Sequence, residues 1–443
     1  MQEISNVNDI GLYFTLIMAT LLIVLPRKYA PVPLLMTALY LTQGQVAVIA
    51  TLHFTMLRIM LLIGCIRVIM RKEYDGIKLN KIDILLILFV ISSVLTKTIL
   101  FQTSEIFIGR LGFAYNALGS YFLFRCLIKD YEDFNIFMKT MAFIIIPLGI
   151  AILIEMFTGR NMFSIFGGVP EFSEIRKGLF RCQGSFRHPI LAGTFGATLM
   201  PLFIALWFRK DIGNKQICVL GLVTSTFIMV AATSSGPLLA YLFAIIGLLI
   251  WFFRDHMRAI RWGIFFSLIT LHLVMKAPVW FLMARLSEVI GGSGWHRAEL
   301  INQAIKHFDE WWLLGAKSTA HWMATVLAVS PDSADITNHF IGVGINGGII
   351  SLILFILIII YCFERLGRAL QLMKDSSMGV RMTLWTLGVA LFAHIVSFMS
   401  VSYFDQIITF WYMVLAVVSS LTAFTEQNSL VGIRQSAILS TQS

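Results

Sequence analysis

A series of apolar runs, each roughly 17–25 residues long and most of them bounded by Arg or Lys, recurs from end to end of this 443-residue chain. That length is what the hydrocarbon core of a bilayer requires. Charged residues make up only 13% of the chain, too few to coat a water-facing surface, which excludes a soluble globule. Thirteen runs read as spans, near residues 10–26, 30–43, 54–70, 82–100, 107–128, 137–157, 190–208, 216–233, 234–253, 262–282, 338–363, 382–403 and 406–424, the second short and bearing prolines. The expected fold is an all-α integral membrane protein, one polytopic domain over residues 1–443 with about 12–13 transmembrane helices. Residues 1–9 carry Glu3 and Asp9 but neither Lys nor Arg, so the first run is expected to stay as a membrane helix. Cys65, Cys126, Cys218 and Cys362 lie in apolar runs and Cys182 alone in a polar loop, with no Cys-x-x-Cys and no evident disulfide pair.

The basic residues give the spans a direction. Arg27-Lys28, Arg71-Lys72 with Lys78 and Lys81, Lys129 to Lys139, Arg209-Lys210, Arg254 to Arg261, and Arg365 to Arg381 fall on alternate sides of successive spans, and so on one side of the membrane. The positive-inside rule makes that side cytoplasmic, with the tail around Arg434 inside and the first residues outside. Two outer segments are long: loop A, residues 159–189, and loop B, residues 284–337, with an interfacial helix near 295–312. In that stretch Ala298, Ile301, Ile305, Phe308 and Trp312 recur at helical spacing, with Glu299, Gln303, Lys306 and Glu310 opposite.

The outer side nevertheless breaks the charge rule. Loop A carries Arg160, Arg176, Lys177, Arg181 and Arg187, and loop B carries Arg285, Arg297, Lys306 and Lys317. Arg58 lies inside a span near its outer end, and Lys97 and Arg110 sit at outer helix ends. Each alone reads as a snorkelling or solvated side chain. Together they point to an anionic ligand at the outer face, where Arg suits bidentate phosphate contacts. Arg297 falls on the edge of its helix beside Ile301, Ala304 and Phe308, so it either snorkels or meets an anion inside the protein.

The outer histidines His53, His188, His296, His307, His321 and His339 show no His-x-x-x-His spacing, and no metal is expected. His188 and His339 each sit where a long loop re-enters the membrane, and a neutral imidazole there can take a proton from an attacking hydroxyl. Asp335, Glu299 and Glu174 are competing bases. No nucleophile elbow, P-loop or dinucleotide fingerprint is present.

Four stretches carry a likeness to a known family. They are Arg181-Cys-Gln-Gly-Ser-Phe-Arg187-His-Pro-Ile190; Ala232-Thr-Ser-Ser-Gly236; Gly294-Trp-His-Arg297 followed by Trp311-Trp-Leu-Leu-Gly315; and Asp335-Ile-Thr-Asn338-His339 followed by Gly347-Gly348. In this order, with a large outer loop late in the chain, they resemble the O-antigen ligase and O-antigen polymerase superfamily of bacterial inner-membrane proteins, over about residues 110–420. The resemblance implies a class C glycosyltransferase fold, with no cofactor and no metal. It implies transfer of a glycan from undecaprenyl diphosphate at the outer, periplasmic face of the bacterial cell inner membrane, the C-terminus being cytoplasmic. Outer arginines would hold the diphosphate and a loop residue, often His, would be the base. By that likeness Arg297 matches the large-loop arginine and His339 stands at the loop histidine. Many members place Arg directly after Ser in the second stretch; here Gly236 follows Ser235, and Arg181 or Arg187 is left to supply that cation. Gly347 and Gly348 follow His339 more closely than the glycine of ligases does.

The site residues expected are therefore His339, His188 and Asp335 for catalysis, and Arg297, Arg187, Arg181 and Arg58 for the diphosphate. The expected activity is a polymerase of exopolysaccharide or O-antigen repeat units. The alternative within the class is an O-antigen ligase transferring glycan to lipid A-core. The implied partners are an undecaprenyl-diphosphate-linked oligosaccharide, the lipid bilayer, and a flippase and chain-length regulator of a polysaccharide assembly system, with no nucleic acid. A lipid-linked glycan transporter predicts two related halves and short outer loops. A non-catalytic scaffold predicts that the outer arginines are dispensable.

Overall fold

The computed structural model describes residues 7–49, 52–209, 213–323, 328–330 and 333–441. The helices are α1 (Asp9–Val24), α2 (Pro31–Tyr40), α3 (Met56–Met70), α4 (Lys81–Phe101), α5 (Ser104–Leu127), α6 (Tyr131–Thr158), α7 (Pro189–Trp207), α8 (Asn214–Ala231), α9 (Ser235–Leu249), α10 (Met257–Val274), α11 (Leu282–Ile290), α12 (Gly294–Lys306), α13 (Phe308–Trp311), α14 (His339–Leu372), α15 (Met378–Phe398) and α16 (Ile407–Thr441). Eight are long and apolar enough to cross a membrane: α4, α6, α7, α8, the unit Ser235–Val274 that joins α9 to α10, α14, α15 and α16. The chain is an all-α, multi-pass membrane protein. Among the described residues only three small antiparallel hairpins interrupt the helices: β1 (Val46–Ile49) with β2 (Leu52–Thr55), β3 (Glu174–Arg176) with β4 (Leu179–Arg181), and β5 (Ala328–Ser330) with β6 (Ser333–Ala334).

In lipid the apolar faces gain nothing from leaving water, so helices associate through close packing and polar contacts. The two innermost spans, α7 and α16, are buried over 83% of their apolar windows, against 33–44% for α4, α6, α8 and α14. Gly196 lets α7 press onto α8, where a Cβ would lie 2.4 Å from the Ser225 carbonyl oxygen. One turn earlier, Gly193 lets α7 approach the turn between α8 and α9, where a Cβ would lie 2.9 Å from Ala232 and from Pro237.

The basic residues of the alternate loops gather at one end of the bundle, tied by buried ion pairs. Arg67 is 1% exposed. It meets Glu73 in a two-point fork at 3.0 and 2.7 Å and donates to the Leu22 and Leu25 carbonyls at the end of α1. Asp83 accepts from Tyr121 at 2.5 Å, from Arg125 and Ser419 at 3.3 Å each, and from the Asn80 backbone N–H in a capping box. Arg27 pairs with Asp133, and Arg365 with Glu426 at 2.7 Å. Each of these charges has an opposite charge within hydrogen-bond reach, the condition under which a buried ion is tolerated, although Glu426 Oε1 has no partner of its own.

The opposite end carries loops A and B and departs from regular helix in two places. The span expected at 30–43 is a helix of only ten residues, too short to cross alone. The chain continues as the extended stretch 41–45, whose polar groups are satisfied by protein. Gln406 donates to the Leu41 carbonyl at 3.3 Å, Thr42 to Gly167 at 2.7 Å, and Gln45 to Phe166 at 2.7 Å. The second departure lies in α14, where Gly348 has φ +69° and breaks the helix. Loop B docks into that break: Ile349 N–H donates to the Trp312 carbonyl at 2.7 Å, and Ala316 N–H to the Ile345 carbonyl at 2.9 Å. The stretch Trp311–Gly315 and the Gly347-Gly348 pair, far apart in sequence, are thus one structural unit.

Two further expectations change. The interfacial helix near 295–312 is two helices, α12 and α13, broken at His307. Its large apolar side chains Trp295, Ile305, Phe308, Trp312 and Leu313 face outward, and the protein side is formed by His296, Arg297, Ala298, Leu300 and Ala304. Helix α10 follows a 3-10 turn at Ile250–His256, buries no residue, and packs mainly against that turn and the 3-10 segment Val279–Phe281.

Candidate anion site at the loop end

Loop A is held rigidly enough to place a charge. Glu155, 1% exposed at the end of α6, accepts from Ser173 Oγ at 2.7 Å and from the Gln183 and Gly184 N–H groups at 3.0 and 2.8 Å. Cys182 N–H donates to Ala231 at the end of α8 at 3.1 Å, and Gln406 donates to the Ser185 carbonyl at 2.9 Å. The hairpin before it turns through Lys177 and Gly178, both at positive φ, the geometry of a two-residue I′ turn. Arg181 emerges from β4 with a fixed backbone. Its guanidinium donates to Glu174 at 2.6 Å and to Ser234 Oγ at 3.0 Å, and its Nε has no partner.

Ser234 stands at the N-cap of α9, yet its side chain does not cap the helix. It donates to the Ala232 carbonyl and accepts from Arg181 instead. The first turn of α9, Ser235-Gly236-Pro237, therefore begins without a side-chain cap, and its N–H groups carry the positive end of the helix dipole. Arg297 of α12 lies against the same turn: its Nη2 is 3.6 Å from where a Cβ of Gly236 would stand. Arg297 is only 6% exposed, its Nε has no partner, and its guanidinium makes no hydrogen bond or ion pair with the described residues. Burial depresses its pKa, Arg176 adds to that effect, and Asp335 opposes it.

His188 and Asp335 border this pair of arginines. His188 is lowered from its usual pKa by burial and then by Arg181, against the pull of Glu174 and Asp335, so it is neutral near pH 7. Its Nδ1 accepts from the Ile190 N–H at 3.2 Å as the cap of α7. The proton of the neutral ring therefore sits on Nε2, which is a donor. Asp335 is 45% exposed at its side chain. Its backbone carbonyl lies 3.1 Å from His296 Nε2, on the helix that bears Arg297.

Arg181, Arg297, His188 and Asp335 are thus brought together; the other expected residues are not. His339 begins α14 with its ring among Phe355, Phe398 and Tyr403, at centroid distances of 5.4, 4.7 and 5.4 Å, and its Nδ1 accepts from the Tyr403 N–H at 3.1 Å. Arg187 is exposed, with its backbone N–H on Asp405 Oδ2 at 3.0 Å. Arg58 donates to Asn116 at 3.1 Å and to the His53 carbonyl at 2.7 Å, on the α3–α5 side of the rim. Lys97 and Arg110 tie α4 and α5 to loop B and α14 through the Ala316 carbonyl and Asn346.

Two groups escaped the sequence reading. Asp405, at φ +62° in the turn between α15 and α16, is raised to about 6 by burial against the opposing effects of Arg187. A short turn with one acid gave no signal. His307, Glu310 and His321 converge away from the anion site, and their spacing, His-x-x-Glu with a second His eleven positions further on, was the available clue.

No protein-family model matches this chain, and no curated protein matches it significantly.

Proposed function

We propose that the protein is a membrane glycosyltransferase that moves a glycan from undecaprenyl diphosphate to a sugar hydroxyl at the outer face of the bacterial inner membrane, acting as a polymerase of exopolysaccharide or O-antigen repeat units. The observation that carries the reading is Arg297, buried and with a guanidinium unpartnered among the described residues, over an uncapped helix start beside Arg181. A buried cation without a partner is costly, and such a cost is retained where a ligand supplies the missing anion. Two guanidinia and a helix N-terminus suit a diphosphate, and they are the preorganised donors that stabilise charge developing on a departing one.

In this reading the acceptor hydroxyl attacks the anomeric carbon and the bond from that carbon to the diphosphate oxygen breaks. The diphosphate leaves on its lipid, held by Arg297, Arg181 and the first N–H groups of α9. The hydroxyl proton passes to Asp335. His188 Nε2–H donates to a diphosphate or sugar oxygen, and His339 orders the start of α14. The chain then makes thirteen crossings in a class C-like fold: the eight apolar helices with α9 and α10 counted apart, plus α1, α3, α5, and α2 together with the extended stretch 41–45. The end rich in ion-paired arginine is cytoplasmic by the positive-inside rule, and the loop end is periplasmic.

The test is incubation of the purified protein with lipid-linked repeat units. Chains that lengthen, and fail to lengthen with Arg297→Met or Asp335→Asn, support the reading. Transfer only to lipid A-core, or no transfer, sinks it.

A further inference from the structure

Loop B holds a second cluster that the glycosyl-transfer reading does not use. His307 caps α13 and Glu310 lies one turn on, so their side chains share a face. The 3-10 segment Ala320–Met323 brings His321 to the same point. His307 Nδ1 lies 2.7 Å from Glu310 Oε1, and His321 Nε2 lies 3.0 and 2.9 Å from Oε1 and Oε2. One ligand atom from each residue falls within 4.8 Å of the others. Trp322 Nε1 donates to Glu310 Oε2 at 3.1 Å, and its ring stacks on His307 at an interplanar angle of 11°.

We propose that His307, Glu310 and His321 form a divalent transition-metal site of the Zn²⁺ class on the outer loop. Two imidazoles and a carboxylate are a donor set that suits Zn²⁺, Ni²⁺ and Cu²⁺ and disfavours Mg²⁺ and Ca²⁺, which take oxygen ligands. Tetrahedral ligands at about 2.0 Å from a metal stand about 3.3 Å apart, so the three groups need only a small adjustment to close on an ion. The fourth position is open to solvent, since the side chains of His307, Glu310 and His321 are 28%, 33% and 51% exposed. Trp322 supplies the outer-shell contact: by holding Oε2 it leaves Oε1 to face the imidazoles. Binding turns the ring proton of each histidine to its other nitrogen, His307 to Nε2 and His321 to Nδ1. The bound ion fastens the segment 320–323 to the end of α12, ten residues from Arg297. The proposal does not rest on the glycosyltransferase reading.

The test uses the full-length protein, purified without a polyhistidine tag, stripped with EDTA and dialysed. Co²⁺ titration should give the visible absorption of a four- or five-coordinate site, and equilibrium dialysis should find about one Zn²⁺ per chain. The double variant His307→Asn with His321→Asn should lose that equivalent, and Trp322→Phe should weaken Zn²⁺ about 10–100-fold. Absence of a Co²⁺ spectrum and of bound Zn²⁺ in the wild type overturns the proposal, whether or not the variants fold. Equal Zn²⁺ binding by wild type and a monodisperse double variant overturns it as well.

Discussion

Replacing Arg297 by Met separates a ligand site from a structural arginine. Met keeps most of the packing volume of Arg297 while removing a charge that is 6% exposed and has no partner among the described residues. An ion held in this way costs several kcal/mol after relaxation, so its removal should leave the empty protein as stable as before, or about 1 kcal/mol more stable. The ligand tells the opposite story. Removing one partner of a buried, hydrogen-bonded charge pair costs about 2–4 kcal/mol, a loss of roughly 30–1,000-fold in affinity. At a diphosphate lipid concentration of about 100 times Kd, the wild type gains about 2.7 kcal/mol, and the variant at the same concentration should gain less than about 1 kcal/mol. Unfolding in bicelles with and without undecaprenyl diphosphate reads both quantities from one preparation. A variant destabilised by more than about 2 kcal/mol when empty, with its ligand stabilisation intact, would refute the reasoning and make Arg297 a structural residue.

Other perturbations probe the frame around the site. Gly348→Ala places a side chain at φ +69° and 2.2 Å from the Leu313 carbonyl oxygen, and should cost at least about 1–3 kcal/mol while freeing loop B to proteolysis; unchanged protease resistance would contradict the docking of loop B into α14. Arg67→Leu leaves Glu73 buried and unpaired and should destabilise by about 3–5 kcal/mol, measured by denaturant midpoint, with a near-neutral result arguing against the pair. Asp405 is raised to about 6 in the folded protein, so its ionisation opposes folding: stability should fall as pH rises from about 4 to about 6 and then level off. Asp405→Asn should flatten that slope, and identical pH profiles for the two proteins would show that another group is responsible.

The spans were readable because each is a long apolar run, and α4, α6 and α15 lie close to where the pattern put them. The extended stretch 41–45 was not, because it is stabilised by Gln406 and by loop A, contacts more than a hundred residues away. Periodicity found an interfacial helix in loop B and put Arg297 on its edge, but did not show which side meets the protein. In a membrane interface the apolar stripe of Trp295, Ile305 and Trp312 can face outward, and the buried edge is the one that carries Arg297. Arg181 and Arg297 were both legible as charges in loops where the positive-inside rule leads one to expect few. Their meeting over the start of α9 was not, since it depends on how α8 and α12 pack. His339 was drawn into the expected site by its position at a loop re-entry, where nothing in sequence distinguishes a base from a ring packed against Phe398 and Tyr403.

The most direct test of the central claim is titration of the purified protein in nanodiscs with undecaprenyl diphosphate, with undecaprenol as the control for the lipid tail. The account predicts saturable binding of the diphosphate lipid, weakened roughly tenfold or more by Arg181→Ala and roughly 30-fold or more by Arg297→Met, with undecaprenol unaffected by either change. Equal binding of both lipids, or diphosphate binding indifferent to both arginines, would contradict it.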